Sequence, residues 1–295
     1  MTRALGAAAV ALVSATFVAS VSSTAGAYCR TSSCEDGVGA LCFPSQPSDC
    51  GIPLFWPSRC VGYSLQKDAS AQVDLNTASN VAAQAFAAWS DADCGGGTHP
   101  AIEAQDLGPV TCDKVEYNQQ EENANVIVFR DASWPHPSSA LALTTVTYAL
   151  ETGEIRDADI ELNSANAVFT TGDENVQVDL LSILTHEAGH FLGLSHAPSS
   201  DATMFADYPP MSTALRTLDA DDINGICAIY PADGGAACNP TPKNGMGDEC
   251  ADGTTGGDDD EGGSDGCSVS ESTHSSGWIA LLGAAVALGF ARRRR

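Results

Sequence analysis

The sequence predicts an α+β domain in which a five-stranded sheet carries helices on one side. Three observations predict it. Five short runs are rich in β-branched and aromatic residues and end in Gly, Pro, Asn or Asp clusters. Two longer stretches, 74–92 and 177–192, and a third at 216–230, space their apolar residues with the period of a helix. The order is strand, helix, four strands, helix, turn, helix, with no internal repeat.

The first strand covers 60–66. The helix at 74–92 places Val81, Ala85, Ala88 and Trp89 on one stripe; Asn76 or Thr77 is its expected cap, and Cys94-Gly95-Gly96-Gly97 ends it. A partly alternating strand follows at 101–107, and a stronger, β-branched one at 125–130. Trp134-Pro135-His136-Pro137 is a loop. Strands at 141–150 and 155–162 flank Glu151-Thr152-Gly153-Glu154, a hairpin turn. In the helix at 177–192, Val178, Leu181, Ile183 and Leu184 face inward; in the last helix, 216–230, the apolar residues are Leu218, Ile223, Ile226 and Ile229.

The run His186-Glu187-Ala188-Gly189-His190-Phe191-Leu192-Gly193-Leu194-Ser195-His196 carries the chemistry. His186 and His190 are four apart and share one helix face. Gly193 lets the backbone leave the helix in a conformation closed to residues with a Cβ. His196 then returns as a third ligand. Three protein ligands leave a fourth position for water, the mark of a catalytic rather than a structural zinc site. Glu187 stands beside the first ligand as the base that takes a proton from that water. A buried helix with locally bonded histidines is the bland alternative; the added Gly193 and His196 make it a poor one.

These residues match the HExxHxxGxxH signature at every fixed position, and the chain resembles the matrixin-like group of the metzincin zinc endopeptidases. Met204, in Asp201-Ala202-Thr203-Met204-Phe205, matches the methionine turn, and the 218–226 segment resembles the start of the family's C-terminal helix. The 152–163 segment resembles the strand before the active-site helix in secreted bacterial members. The resemblance covers roughly residues 60 to 231 and implies a mixed five-stranded sheet with active-site helix, methionine turn and C-terminal helix. It further implies one catalytic Zn2+ on His186, His190 and His196, hydrolysis assisted by Glu187, and a Met204 floor under the histidines. Extended substrate would pair along 141–147, with Leu143 and Thr144 on that edge and Tyr208-Pro209-Pro210-Met211 walling a side-chain pocket; a plain rigid loop is the other reading of that wall. The family's second, structural zinc uses histidines near this edge; Leu141-Ala142-Leu143-Thr144-Thr145 has none, and His136, Asp157 and Asp159 do not rebuild the set. One zinc is therefore expected, with His99, His136 and His274 at the surface. Arg59-Cys60 superficially resembles the family's propeptide cysteine, but it abuts the first strand, so Cys60 reads as a disulfide cysteine.

Composition bounds the rest. The formal net charge is −25, which argues against nucleic-acid binding because such a surface repels phosphates. Residues 1–27 read as a signal peptide, with Arg3, an apolar stretch to Val21 and the Ala25-Gly26-Ala27 cleavage rule. Export permits disulfides, and ten of the eleven cysteines could form five bridges of open connectivity. Cys29, Cys34, Cys42 and Cys50, in a Cys-rich segment at 28–59, fit a second zinc site poorly because only the first pair has ligand spacing. Residues 232–266 read as an acidic linker; Ca2+ capture by Asp258, Asp259, Asp260 and Glu261 is a sharper reading that no motif supports.

The 267–295 tail has Gly266-Cys267, an apolar stretch at 278–291 and Arg292–Arg295. It resembles the myxobacterial C-terminal sorting signal, implying cleavage near Cys267 and surface display; a plain membrane anchor is the alternative. The expected protein is a monomeric, secreted or surface-displayed zinc endopeptidase that acts on proteins or peptides, bound to membrane only through its tail. The rival reading is a zinc-containing surface binding or adhesive module without turnover, which would have no need of Glu187.

Overall fold

A computed structural model describes residues 28–33, 52–251 and 266–270. The signal peptide, Cys34, Cys42, Cys50, the 258–261 acidic run, His274 and the apolar tail lie outside the described residues. The sheet is mixed. Strands β1 (Cys60–Leu65), β2 (Glu103–Asp106), β3 (Val126–Phe129) and β5 (Ile155–Leu162) run parallel, and β4 (Ala142–Ala149) runs antiparallel to β5 in the order β2-β1-β3-β5-β4. The α+β architecture with a five-stranded sheet is as the sequence predicts.

Two further short strands, β6 (Phe169–Thr170) and β7 (Val178–Asp179), form a separate parallel pair. A last one, β8 (Gly266–Ser270), lies antiparallel on the outer edge of β4, with Gly266 opposite Ala149 and Ser270 opposite Thr145.

Helix α1 (Leu75–Ser90) buries Ala78, Val81, Ala82, Ala85, Phe86 and Trp89. Its N-cap is Asp74, not Asn76 or Thr77: the Asp74 carboxylate accepts from Thr77 N, so the cap sits two or three residues earlier than expected. Helix α2 (Leu180–Phe191) is almost wholly buried and packs on α1 and β4. Leu180, Ile183 and Leu184 face inward; Leu181 and Val178 are only half-buried, because the helix begins at Leu180 after β7 rather than at residue 177. Stacked Tyr63–Phe86 and edge-on Phe86–Phe191 contacts, with ring centres 4.6 and 5.1 Å apart, tie β1, α1 and α2 into one core. Each fully buried Leu or Phe here contributes about 1.5–3 kcal/mol.

The carbonyls left over at the C-terminal end of α2 are satisfied from distant elements. Trp56 Nε1 donates to Phe191 O at 2.8 Å and Tyr230 Oη to Leu192 O at 2.9 Å. Residues past Pro231 do not depart as a free linker. Cys60–Cys238 and Cys112–Cys250 bridges, with Asn123 bonded to Lys243 O and Gly247 N bonded to Asn123 O, hold the chain against the sheet as far as Ala251. A third bridge, Cys94–Cys227, joins the end of α1 to α3 (Ala220–Ile229). Cys60 is thus a disulfide cysteine, and Cys29 is disulfide-bonded as well, which removes it from any cysteine zinc set. Among the described residues no helix is long and apolar enough to cross a membrane.

Candidate metal centre and cleft

His186 and His190 project from the same face of α2, one turn apart. After Phe191 the chain turns at Gly193, whose φ of 95° is the left-handed region; a Cβ there would also stand 2.8 Å from Leu54 O. The turn is held from outside by the first residues of the described chain: Thr31 N donates to Gly193 O and Ser195 N to Cys29 O, both at 3.0 Å. It delivers His196 to the other two rings. The His190 Nε2 lies 3.2 Å from Nε2 of His186 and 3.2 Å from Nε2 of His196.

The outward nitrogens decide what those facing atoms are. His186 Nδ1 donates to Thr203 O at 2.7 Å and His190 Nδ1 to Leu194 O at 2.9 Å. A carbonyl accepts only, so both protons sit on Nδ1 and both Nε2 atoms carry lone pairs. Two lone pairs cannot hydrogen-bond each other. Two imidazole ligands on one tetrahedral zinc at ~2.05 Å stand about 3.3 Å apart. The ring set therefore fits a single Zn2+, with the outer bonds fixing ring orientation. Burial, and for His186 the two neighbouring imidazoles, push the pKa values down, His186 well below the usual range and His190 to about 4. Both rings are neutral near pH 7, as metal ligands must be. Among the described residues the only other cluster of metal-ligating types is Cys112, Glu116 and Cys250, and its two sulfurs are already joined.

Met204 is buried and packs against Gly189 of the motif. A Cβ on Gly189 would collide with Met204 Sδ and come within 2.7 Å of Trp89, so the glycine inside the motif makes room for the methionine. Sequence reasoning missed what holds that turn. Asp222, inside the α3 capping box, accepts from Thr203 N at 2.7 Å and Met204 N at 3.0 Å, and from Asp219 N. The Asp219-Ala220-Asp221-Asp222 spacing was the available signal.

Beside the triad is a cavity of about 300 Å³ whose apolar lining includes Leu141, Ala142, Val178, Ile183, Phe205, Tyr208, Pro210 and Leu215, and whose polar lining is Ser139, Gln177, Asp207, His186 and Glu187. Tyr208 is in the lining, and of the prolines Pro210 rather than Pro209. Leu143 and Thr144 do not line it. Side chains alternate along β4: Leu143 faces the far side of the sheet opposite Glu161, while Thr144 points to α2, where its hydroxyl donates to Glu187 Oε2 at 2.6 Å. The pocket wall is braced from below. Asp179, the N-cap of α2, receives Arg216 Nε and Nη2 at 2.8 and 2.6 Å, and its own N–H donates to Tyr208 Oη. His136 is not a free surface residue: its Nε2 meets Glu161 Oε2 at 2.8 Å, and Arg130 Nε meets Oε1 at 2.6 Å. Glu161 is thus spent on Arg130 and His136.

Fold and site together define an α+β domain with a three-histidine metal centre and an adjacent carboxylate. The matrixin family model matches residues 55–231, and the chain belongs to the matrixin family. It is 39% identical to Metalloendoproteinase 1-MMP of Arabidopsis thaliana over 72 residues, covering 24% of this chain and 17% of that protein. It is 36% identical to Neutrophil collagenase of Homo sapiens over 80 residues (27% and 16%), and 36% identical to Stromelysin-3 of Xenopus laevis over 91 residues (30% and 18%). The chain spans less than a fifth of the length of each of these relatives.

Proposed function

We propose that this chain is an exported zinc endopeptidase that hydrolyses peptide bonds in proteins, with His186, His190 and His196 as metal ligands and Glu187 as the proton-transfer residue. The observation that carries the reading is the convergence of Nε2 atoms 3.2 Å apart next to a buried carboxylate. A zinc ion held there supplies Lewis acidity toward a peptide carbonyl and draws the pKa of water toward ~7. Glu187 takes the proton of the attacking water and returns it to the leaving amine. Residues 141–144 of the β4 edge align extended backbone by strand addition, and the apolar cavity takes the side chain after the scissile bond. The Arg216 guanidinium is tied to Asp179 and Asp173 and is not part of the lining, which apart from Asp207 and Glu187 carries no acidic or basic chain other than His186 and is mostly apolar, favouring an apolar side chain.

Export is supported by the signal-peptide pattern and by bridges that need an oxidising compartment. Surface display through the C-terminal tail and a monomeric state complete the proposal. The decisive experiment treats the mature chain with a protein substrate, with and without a zinc chelator, beside Glu187→Ala. Cleavage that stops on chelation, and a Glu187→Ala protein that binds one zinc but is inactive, are expected. Zinc bound with no cleavage of any protein would favour a binding module instead, and two tightly held zincs would contradict the single-metal reading.

A further inference from the structure

We propose that Thr144 is a positioning residue that orients the Glu187 carboxylate for proton transfer; the proposal rests on the peptidase reading above. Thr144 lies in the middle of β4, 5% exposed, facing α2. Its Oγ1 is 2.6 Å from Glu187 Oε2 and 3.3 Å from Glu187 O. A hydroxyl bonded to a carboxylate must donate, and this distance is that of a charge-assisted O–H···O⁻ bond.

The two partners differ in freedom. A glutamate has three side-chain torsions, and the helix fixes none of those beyond its Cβ. A threonine in a strand is stiff at χ1, and β4 is pinned in register to β5 from Ala142 to Thr147. The hydroxyl is therefore a fixed point on the sheet against which the carboxylate is set. Ala142, two residues earlier on the same face of the strand, lines the side-chain cavity. One strand thus places both the substrate pocket wall and the anchor of the base, which keeps the distance between bound peptide and carboxylate constant. This differs from the substrate contact that the sequence suggests for Thr144, and the two roles separate kinetically.

The test compares the mature wild-type chain with Thr144→Val, which keeps the shape and removes the donor, and Thr144→Ser, which keeps the donor. Readouts are zinc per chain, melting temperature, kcat and KM on a peptide substrate, and the Glu187 rotamer in crystals of the Val variant. For Val we expect unchanged zinc and melting, kcat lower by about 10- to 100-fold, KM within about twofold, and a Glu187 side chain turned away from β4. Ser should restore kcat to within about threefold. A Val variant whose KM rises while kcat holds would make Thr144 a substrate contact and overturn the proposal. So would a Ser variant as slow as Val, or a Glu187 rotamer unmoved in the Val crystals. If the wild type binds zinc and cleaves nothing, the peptidase reading fails, while the rotamer result still decides whether Thr144 sets the carboxylate.

Discussion

Two buried polar clusters lie on opposite faces of the sheet, and they are built from similar material. On the helix side are His186, Glu187 and His190; on the far side β5 alternation presents Asp157, Asp159 and Glu161. All six are less than a tenth exposed. Two of the far-side carboxylates are spent internally. Glu161 takes Arg130 and His136, and Asp159 takes Val126 N at 2.7 Å and Glu116 N at 3.2 Å. On the helix side the bonds run the other way: the outer nitrogens of His186 and His190 are tied to carbonyls, and their inner lone pairs face one another. Burial and titratable chemistry are common to both clusters. What separates the two is where the lone pairs point: on the helix side those of His186 and His190 converge, and on the far side the carboxylate oxygens take N–H groups of the protein.

The largest expected effect breaks the comparison on one side only. Replacing the central ring, His190→Ala, should remove the bound zinc and lower peptide cleavage by at least about 10³-fold, read by metal analysis and a peptidase assay. A variant that still holds one zinc as tightly as wild type would show that the rings do not share an ion. The matching change on the far side, Glu161→Ala, strips the partner from Arg130 and His136. Discounted for the partly exposed guanidinium, it should cost about 2–3 kcal/mol and lower the melting temperature by about 5–10 °C. Zinc content should stay unchanged. If Glu161→Ala lost zinc instead, the two clusters would be coupled and the contrast between them would fail.

The histidine site was legible because its information is local. Helical period alone brings His186 and His190 to one face, and Gly193 marks the turn that returns His196. The strands were legible from β-branched runs for the same reason. What escaped is non-local. Asp222 reaches the methionine turn from 18 residues away, and Thr144 meets Glu187 across 43. The Cys60–Cys238 pairing spans 178 residues, too many for spacing to specify. The phase of β4 against the cleft was also hidden. A strand reading says that Leu143 and Thr144 face opposite ways, but only packing says that Ala142 and Thr144 face the helices. The three acids of β5 would pass for a solvent face, since nothing local announces the distant groups that meet them, Arg130 and His136 on Glu161 and the Val126 and Glu116 N–H groups on Asp159.

A smaller effect probes the open edge of the cleft. β8 pairs with Thr145–Ala149, leaving residues 141–144 for an incoming peptide. With substrate added to β4 as proposed, a peptide that extends along the strand past Thr144 must displace that pairing. A chain ending at residue 265 should therefore bind long peptides with a KM several-fold lower, by about 3- to 10-fold, at similar kcat, and short peptides unchanged. Equal KM values for long peptides in both chains would mean that β8 does not compete with substrate.

The smallest effect is in the pH dependence of stability, where the two faces pull in opposite directions. Burial lowers the pKa of His186 and His190, so in metal-free protein stability is lost as pH falls from the unfolded value of about 6.5 toward about 4. Burial raises the far-side carboxyls: Asp157 well above its usual range, helped by the neighbouring Asp159, and Asp159 to about 8 despite its two backbone donors. Their contribution is present below the unfolded value of about 4 and is lost as pH rises through about 8. Zinc loading holds the histidines deprotonated and should flatten the acid limb alone. Asp157→Asn keeps the shape, offers an N–H to Asp159 and removes one proton from the count. It should flatten the alkaline limb alone, so that the loss of melting temperature between about pH 5 and pH 8 shrinks by a few degrees. Melting curves of zinc-loaded wild type and variant across that window decide it. Parallel curves would mean that Asp157 is already ionised in the folded protein, and its unpaired Oδ1 would then require a bound cation rather than a proton.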